Sequence, residues 1–176
     1  MNDLLPNRWT LLVYRIPPQP TRLRISVWRK LQAMGALYLQ DGVCLLPDRS
    51  DLTENLTFIA DSITEMEGTS HLFSASTALP GGAERLADAF RNAADARLAE
   101  VVRNLDTVSD VLDGAVTPAD WEQAEEALKR ERVAYLHARR RAYFGSTHGA
   151  QVDELLDRLR RRLDDLYRTG GGKGAC

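Results

Sequence analysis

Arg15, Arg22, Arg24, Arg29 and Lys30, accompanied by Trp28, Tyr38 and Gln40, are the most distinctive set of chemically capable side chains in this sequence. Guanidinium groups bind phosphate through paired hydrogen bonds, and a helix N-terminus near Thr21 and Arg22 adds backbone donors for an anion. The set suits phosphate or another oxyanion. The competing reading is a solvated helix face with Trp28 in the core. A second basic run, Arg139, Arg140 and Arg141, follows Lys129, Arg130 and Arg132 on the same stretch and can extend a basic stripe. Arg158, Arg160, Arg161 and Arg162 form a third, but Asp157, Asp164 and Asp165 are interspersed with them, which fits pairing along one helix.

Other chemistries find little support. His71, His137 and His148 are far apart, with no His-Glu-x-x-His pattern or paired Cys/His spacing between them. There is no Gly-x-Ser-x-Gly, no phosphate-binding Walker loop and no Gly-x-Gly-x-x-Gly; Gly81 and Gly82 sit in a linker and Gly170 to Gly172 in a tail. Cys44 lies inside an apolar run and reads as core, while Cys176 is the last residue, so neither a disulfide framework nor a thiolate metal site is expected. Neither an enzyme nor a bound cofactor is therefore expected.

The 176 residues are 44% hydrophobic, enough to bury a substantial core. No stretch approaches the roughly 20 apolar residues of a membrane span, and the N-terminus lacks a secretory pattern, so a cytoplasmic protein without membrane attachment is expected. The net charge of −2 hides a segregation. Residues 1–50 carry seven Lys/Arg against three Asp/Glu, residues 51–128 four against sixteen, and residues 129–176 twelve against six. Basic ends can attract a polyanion whatever the overall sign, because affinity follows local phosphate neutralisation. They can equally complement the acidic middle, within one chain or between two.

The elements that must position these side chains are legible from apolar spacing. Trp9, Leu11, Leu12 and Val13 form a strand that breaks at Pro17, Pro18 and Pro20. Thr21 can cap a helix over 22–34, closed by Gly35, with Leu23, Val27, Leu31 and Met34 as its apolar stripe and Trp28 beside them. Residues 36–40 and 43–46 read as strands joined by Asp41-Gly42, a hairpin signal. Ser50 or Asp51 can cap a second helix carrying Leu52, Leu56, Ile59, Ile63 and Met66, and residues 71–76 supply a fourth strand. The expected fold is α+β, with a ferredoxin-like βαββαβ domain over 8–79 whose two helices cover one face of an antiparallel sheet.

Pro80, Gly81 and Gly82 mark the domain boundary, and an α-helical region is expected over 83–168. Residues 83–112 make one long helix or two shorter ones. Thr117, with Pro118 and Asp120 behind it, starts a helix that runs through Trp121, Ala124, Leu128, Tyr135 and Ala142 before Gly145. Val152, Leu155, Leu156, Leu159, Leu163 and Leu166 form a heptad-like stripe, so the last two helices are expected to make an antiparallel helical hairpin, on a neighbour, a second subunit or both. Residues 169–176 are expected to be a disordered tail.

The stretches W-x-L-L-V-Y-R-I-P at 9–17, R-x-x-V-W-R-K-L at 24–31, G-A-L-Y-L-Q-D-G-V-C-L-L-P at 35–47 and A-R-R-R-A-Y-F-G at 138–145 resemble the N-terminal region of the chromate resistance protein ChrB family. The resemblance implies a bacterial transcriptional regulator of a chromate efflux operon that binds promoter DNA, forms a homodimer and responds to chromate as an effector. On that reading Arg15, Arg22, Arg24, Arg29, Lys30, Gln40, Arg139, Arg140 and Arg141 hold nucleic acid or an oxyanion. The family's longer members carry a further C-terminal domain, so the chain reads as a short member or as part of a longer one. More distantly, the same block is similar to the ferredoxin-like domain of PaaX-type repressors and to the ferredoxin-like nuclease subunit of CRISPR adaptation. The nuclease group places a metal-holding Asp after the first strand's Tyr; here that position is Arg15, which cannot ligate a cation. The alternative function is a non-catalytic dimerisation module of a larger sensor protein, with Arg15 and Arg29 paired to acidic residues of the middle segment.

Overall fold

A computed structural model describes residues 8–18, 21–114 and 117–170. The chain forms two compact units, one running to Phe90 and the other starting at Arg91, so the division falls inside a helix that begins at Gly82.

The first unit contains β1 (Trp9–Arg15), α1 (Thr21–Met34), β2 (Leu37–Gln40), β3 (Val43–Pro47), α2 (Ser50–Glu65) and β4 (Thr69–Ala75). The sheet order is β2-β3-β1-β4 with every neighbouring pair antiparallel, which is the ferredoxin-like arrangement. Register sorts the side chains by face, because alternate strand residues point to opposite sides. Leu12 lies opposite both Cys44 and Leu72, and Tyr38 opposite Cys44, so these share one face with Thr10 and Tyr14. That face carries the helices: the Thr10 and Thr53 hydroxyls meet at 2.9 Å, satisfying a buried polar residue of β1 from α2. Leu12, Leu31, Leu56 and Ile63 are fully buried, each contributing about 1.5–3 kcal/mol of hydrophobic stabilisation. On the other face Trp9 stacks on Phe90, with ring centroids 5.8 Å apart and planes 4° from parallel.

The ends of α1 and α2 arise differently. Gly35, at φ +73°, closes α1; its amide and that of Ala36 donate to the carbonyls of Gln32 and Leu31, the Schellman pattern that the glycine predicts. Neither Ser50 nor Asp51 caps α2. Both already lie in the helix, the N-cap is the extended Arg49 without a side-chain capping bond, and Asp51 instead receives two hydrogen bonds from the Arg49 guanidinium. An acidic residue in the first turn still favours the helix dipole.

The second unit holds the remainder of α3 (Gly82–Gly114), α4 (Pro118–Arg140) and α5 (Gly149–Gly170). The residues 82–114 form one helix. Leu98, Leu105, Leu112, Val152 and Leu159 are its most deeply buried aliphatic side chains, and all three helices contribute to this core. Contacts between Tyr167 and Glu125 at one end and between Arg139 and Asp153 at the other make α4 and α5 an antiparallel hairpin. Thr117 caps α4 in a full capping box with Asp120, and Pro118 occupies the first turn. The helix stops at Arg140 rather than continuing through Ala142, because the amides of Arg141 and Ala142 turn to the carbonyls of Ala138 and Arg139, tightening the last turn. At its other end α5 reaches Gly170, with the Thr169 hydroxyl donating to the Asp165 carbonyl; the rest of the expected disordered tail, 171–176, lies outside the described residues.

Candidate functional site

The end of β1, residues of α1 and the β2–β3 turn line a cleft of about 560 Å³ at the end of the sheet where the chain leaves β1. Its lining includes Tyr14 and Arg15 from β1, Arg24, Ile25 and Trp28 from α1, Tyr38 from β2, and Asp41 with Gly42 from the turn. The strand order produces this meeting. β1 lies beside β3, which brings the Asp41-Gly42 turn against the end of β1, where the Tyr14 amide donates to the Gly42 carbonyl at 2.7 Å.

Two phenols form the polar floor. The Tyr14 and Tyr38 hydroxyls lie 3.3 Å apart, so one donates to the other and the second retains a hydrogen for a ligand. Burial pushes both phenols above their ordinary pKa, and at Tyr38 the bond to Tyr14 adds to the effect, keeping both as hydrogen-bond donors. The rim is cationic and aromatic. Trp28 is 52% exposed and Ile25 42%, which corrects the expectation that Trp28 belongs with the core stripe. At about 100° per residue, Trp28 falls beside Thr21, Arg24 and Ile25, about 60° from buried Leu31 and about 100° from Val27, so it borders the buried stripe and does not belong to it.

The same rotation divides the basic cluster. Arg15 and Arg24 share the cleft with Trp28 and Tyr38. Arg22 and Arg29 lie about 140–160° around the helix from Arg24, with Lys30 between the outer and buried faces. All three are exposed and outside the cleft lining. Gln40 sits at the irregular end of β2, opposite Val43 and away from the cleft lining. Among the described residues none of Arg15, Arg22, Arg24, Arg29 and Lys30 has an ion-pair partner. The pairing of Arg15 and Arg29 with acidic residues of the middle segment is therefore not found within the described chain.

The run at 139–141 also splits by rotation. Arg139 approaches Asp153 at 3.8 Å and lies 5.9 Å from the Tyr135 ring centroid. Arg140 is exposed. Arg141 lines a separate hollow of about 440 Å³ with Arg97, Glu100, Glu131 and His137, and burial together with the nearby Arg97 charge lowers its pKa.

Sequence reasoning missed a polar clamp in the second unit. Asp95 of α3 accepts from Ser146 Oγ at 2.6 Å, from the Thr147 amide at 2.9 Å and from Thr147 Oγ1 at 2.9 Å, holding the segment that enters α5. The Ser146 bond chiefly, with those from Thr147, lowers its carboxyl to about 2. Ser146 and Thr147 just ahead of a helix were the available signal, but their partner lies 51 residues earlier. Cys44 is fully buried and its thiol is pushed up to about 12 by that burial, the opposite of a reactive thiolate. Among the described residues no three His, Cys, Asp or Glu side chains converge as a metal site, and no helix is long and apolar enough to cross a membrane.

A family model described as "Protein ChrB, N-terminal" matches residues 24–169, which leaves Tyr14 and Arg15 of the cleft just outside the matched range. A curated relative called Protein ChrB, from Cupriavidus metallidurans, is 35% identical over 60 residues, which cover 34% of this chain and 18% of that protein. The chain belongs to the ChrB N-terminal family.

Proposed function

We propose that this chain is a cytoplasmic, non-enzymatic regulator of a chromate resistance operon, which binds promoter DNA as a homodimer and uses the outer face of α1 to hold phosphates. The observation that carries the reading is the set of exposed cations Arg22, Arg29 and Lys30, which have no ion-pair partner among the described residues. Unpaired arginines retain their full hydrogen-bonding fork for phosphate, and their release of counterions from DNA drives binding without an internal competitor. Support for the helix as reading element comes from its length of 14 residues, about 21 Å, with Arg22, Arg29 and Lys30 exposed along it. Membership of the ChrB N-terminal family supports the biological setting. Exposed Val133 and Leu136, neighbours on α4, support a second subunit.

The test is fluorescence anisotropy on duplex promoter DNA across a salt series. Each phosphate contact removed should lower the slope of log affinity against log salt by about 0.9, so replacing Arg22, Arg29 and Lys30 by Ala should lower it by about 2.7 per chain. Equal slopes for the native and substituted chains would overturn the assignment of this face.

A further inference from the structure

We infer that the cleft between β1, α1 and the β2–β3 turn is a nucleotide site, with the phosphate held by Arg15 and Arg24 and the base laid against Trp28. This inference is independent of duplex binding by the outer face of α1, because Arg22, Arg29 and Lys30 lie outside the cleft lining.

Four observations converge on that ligand chemistry. Arg15 and Arg24 supply positive charge without an ion-pair partner among the described residues, and Arg24 is close enough to Tyr14 to act electrostatically on its phenol. The Tyr14–Tyr38 pair leaves one hydroxyl hydrogen able to donate to a phosphate oxygen. Trp28 and Ile25 give the same cleft an exposed apolar wall, and the indole face can stack on a planar base. Asp41 places a carboxylate on the lining, where it repels a bare dianion but accepts from a ribose hydroxyl or an exocyclic amine. A small inorganic oxyanion uses only the arginines and the tyrosines; it leaves Trp28 uncovered and meets Asp41 unfavourably. The cleft volume of about 560 Å³ lies within the range of about 300–1,000 Å³ common to organic ligand sites. The shared chemistry, one base with its phosphate, can come from a free mononucleotide or from an unstacked nucleotide of a strand.

Trp28 is the tryptophan in the cleft lining and is 52% exposed, whereas Trp9 is 2% exposed and Trp121 belongs to the second unit. The full chain is titrated with adenosine monophosphate, with inorganic phosphate and with a short single-stranded oligonucleotide, following tryptophan emission and, in parallel, calorimetric heat. Nucleotide is expected to quench Trp28 and to bind at least about tenfold tighter than inorganic phosphate. Trp28→Leu should weaken nucleotide binding about 5- to 100-fold while leaving phosphate binding unchanged. Arg24→Ala should weaken both by about 10- to 100-fold. Comparable affinity for the mononucleotide and the oligonucleotide identifies the free ligand, and much tighter oligonucleotide binding identifies a strand; each supports the site. Phosphate binding as tightly as nucleotide, nucleotide affinity unchanged in Trp28→Leu, or no binding of any of the three overturns the inference. Loss of duplex binding in the α1 outer-face variant with nucleotide titration intact would leave the inference standing.

Discussion

Replacing Gly42 by alanine probes the turn on which the cleft depends. Gly42 sits at φ +73°, and an added Cβ would collide with the Tyr14 carbonyl oxygen, a backbone atom that cannot swing aside as a flexible side chain would. The left-handed conformation costs a residue bearing a Cβ about 1–2 kcal/mol. Relieving the collision means withdrawing the turn from β1, which gives up the 2.7 Å bond from the Tyr14 amide to the Gly42 carbonyl. Loss of that bond costs about 0.5–1.5 kcal/mol. The stiffer unfolded chain of alanine returns about 0.4–1 kcal/mol. The expected net loss is about 0.5–3 kcal/mol. Urea unfolding followed by Trp9 emission, in a chain carrying Trp28→Phe and Trp121→Phe, reads the first unit, because Trp9 is buried against Phe90. Gly145→Ala is the matched comparison: Gly145 has φ +84°, but its added Cβ meets nothing within 4 Å. It should lose only about 0–1.6 kcal/mol, read from Trp121 in a chain carrying Trp9→Phe and Trp28→Phe. A loss for Gly42→Ala no greater than that for Gly145→Ala would refute the steric reasoning.

Further expectations concern the second unit and the buried thiol. The depressed Asp95 carboxyl stabilises the fold fully above about pH 4, and this contribution fades as pH falls through about 2. Asp95→Asn should therefore cost about 1–3 kcal/mol near neutral pH, and its gap from the native chain should narrow below pH 4; a gap constant with pH in urea titrations would contradict the clamp. Thr117→Ala removes the capping box of α4 and should cost about 0.5–2 kcal/mol by thermal or urea unfolding. Leu105→Ala empties a fully buried position of the helical core and should cost about 2–5 kcal/mol in the same measurement. In a Cys176→Ser chain, Cys44 should react with a thiol reagent at mildly alkaline pH only as fast as the first unit opens, so rapid labelling of the folded chain would be the contrary result.

Much of the first unit was legible because its signals are local. Asp41-Gly42 between two apolar runs meets the requirement of a tight hairpin, and Gly35 supplies the positive φ that ends α1. In the second unit, Thr117-Pro118 with Asp120 encodes its own cap within four residues. Less legible were features with a distant or competing partner. The start of α2 was misplaced because Ser50 and Asp51 are both good cap types, and Arg49 draws Asp51 into a side-chain pair instead. The Asp95 clamp was invisible because nothing about an aspartate in a helix announces a partner segment 51 residues later.

For the candidate site, residue types alone identified a basic and aromatic set suited to an oxyanion, and local spacing placed most of it on one helix. Those deductions need only side-chain chemistry and short-range backbone preferences. Which members act together was decided by tertiary structure, for two geometrical reasons. Helical rotation of about 100° per residue sends Arg24 and Trp28 to one side of α1, and Arg22 and Arg29 to another. The strand order β2-β3-β1-β4 then brings Tyr38 and Asp41 against Tyr14 and Arg15, more than twenty residues earlier in the chain, and so makes one cleft from segments that share no sequence neighbourhood.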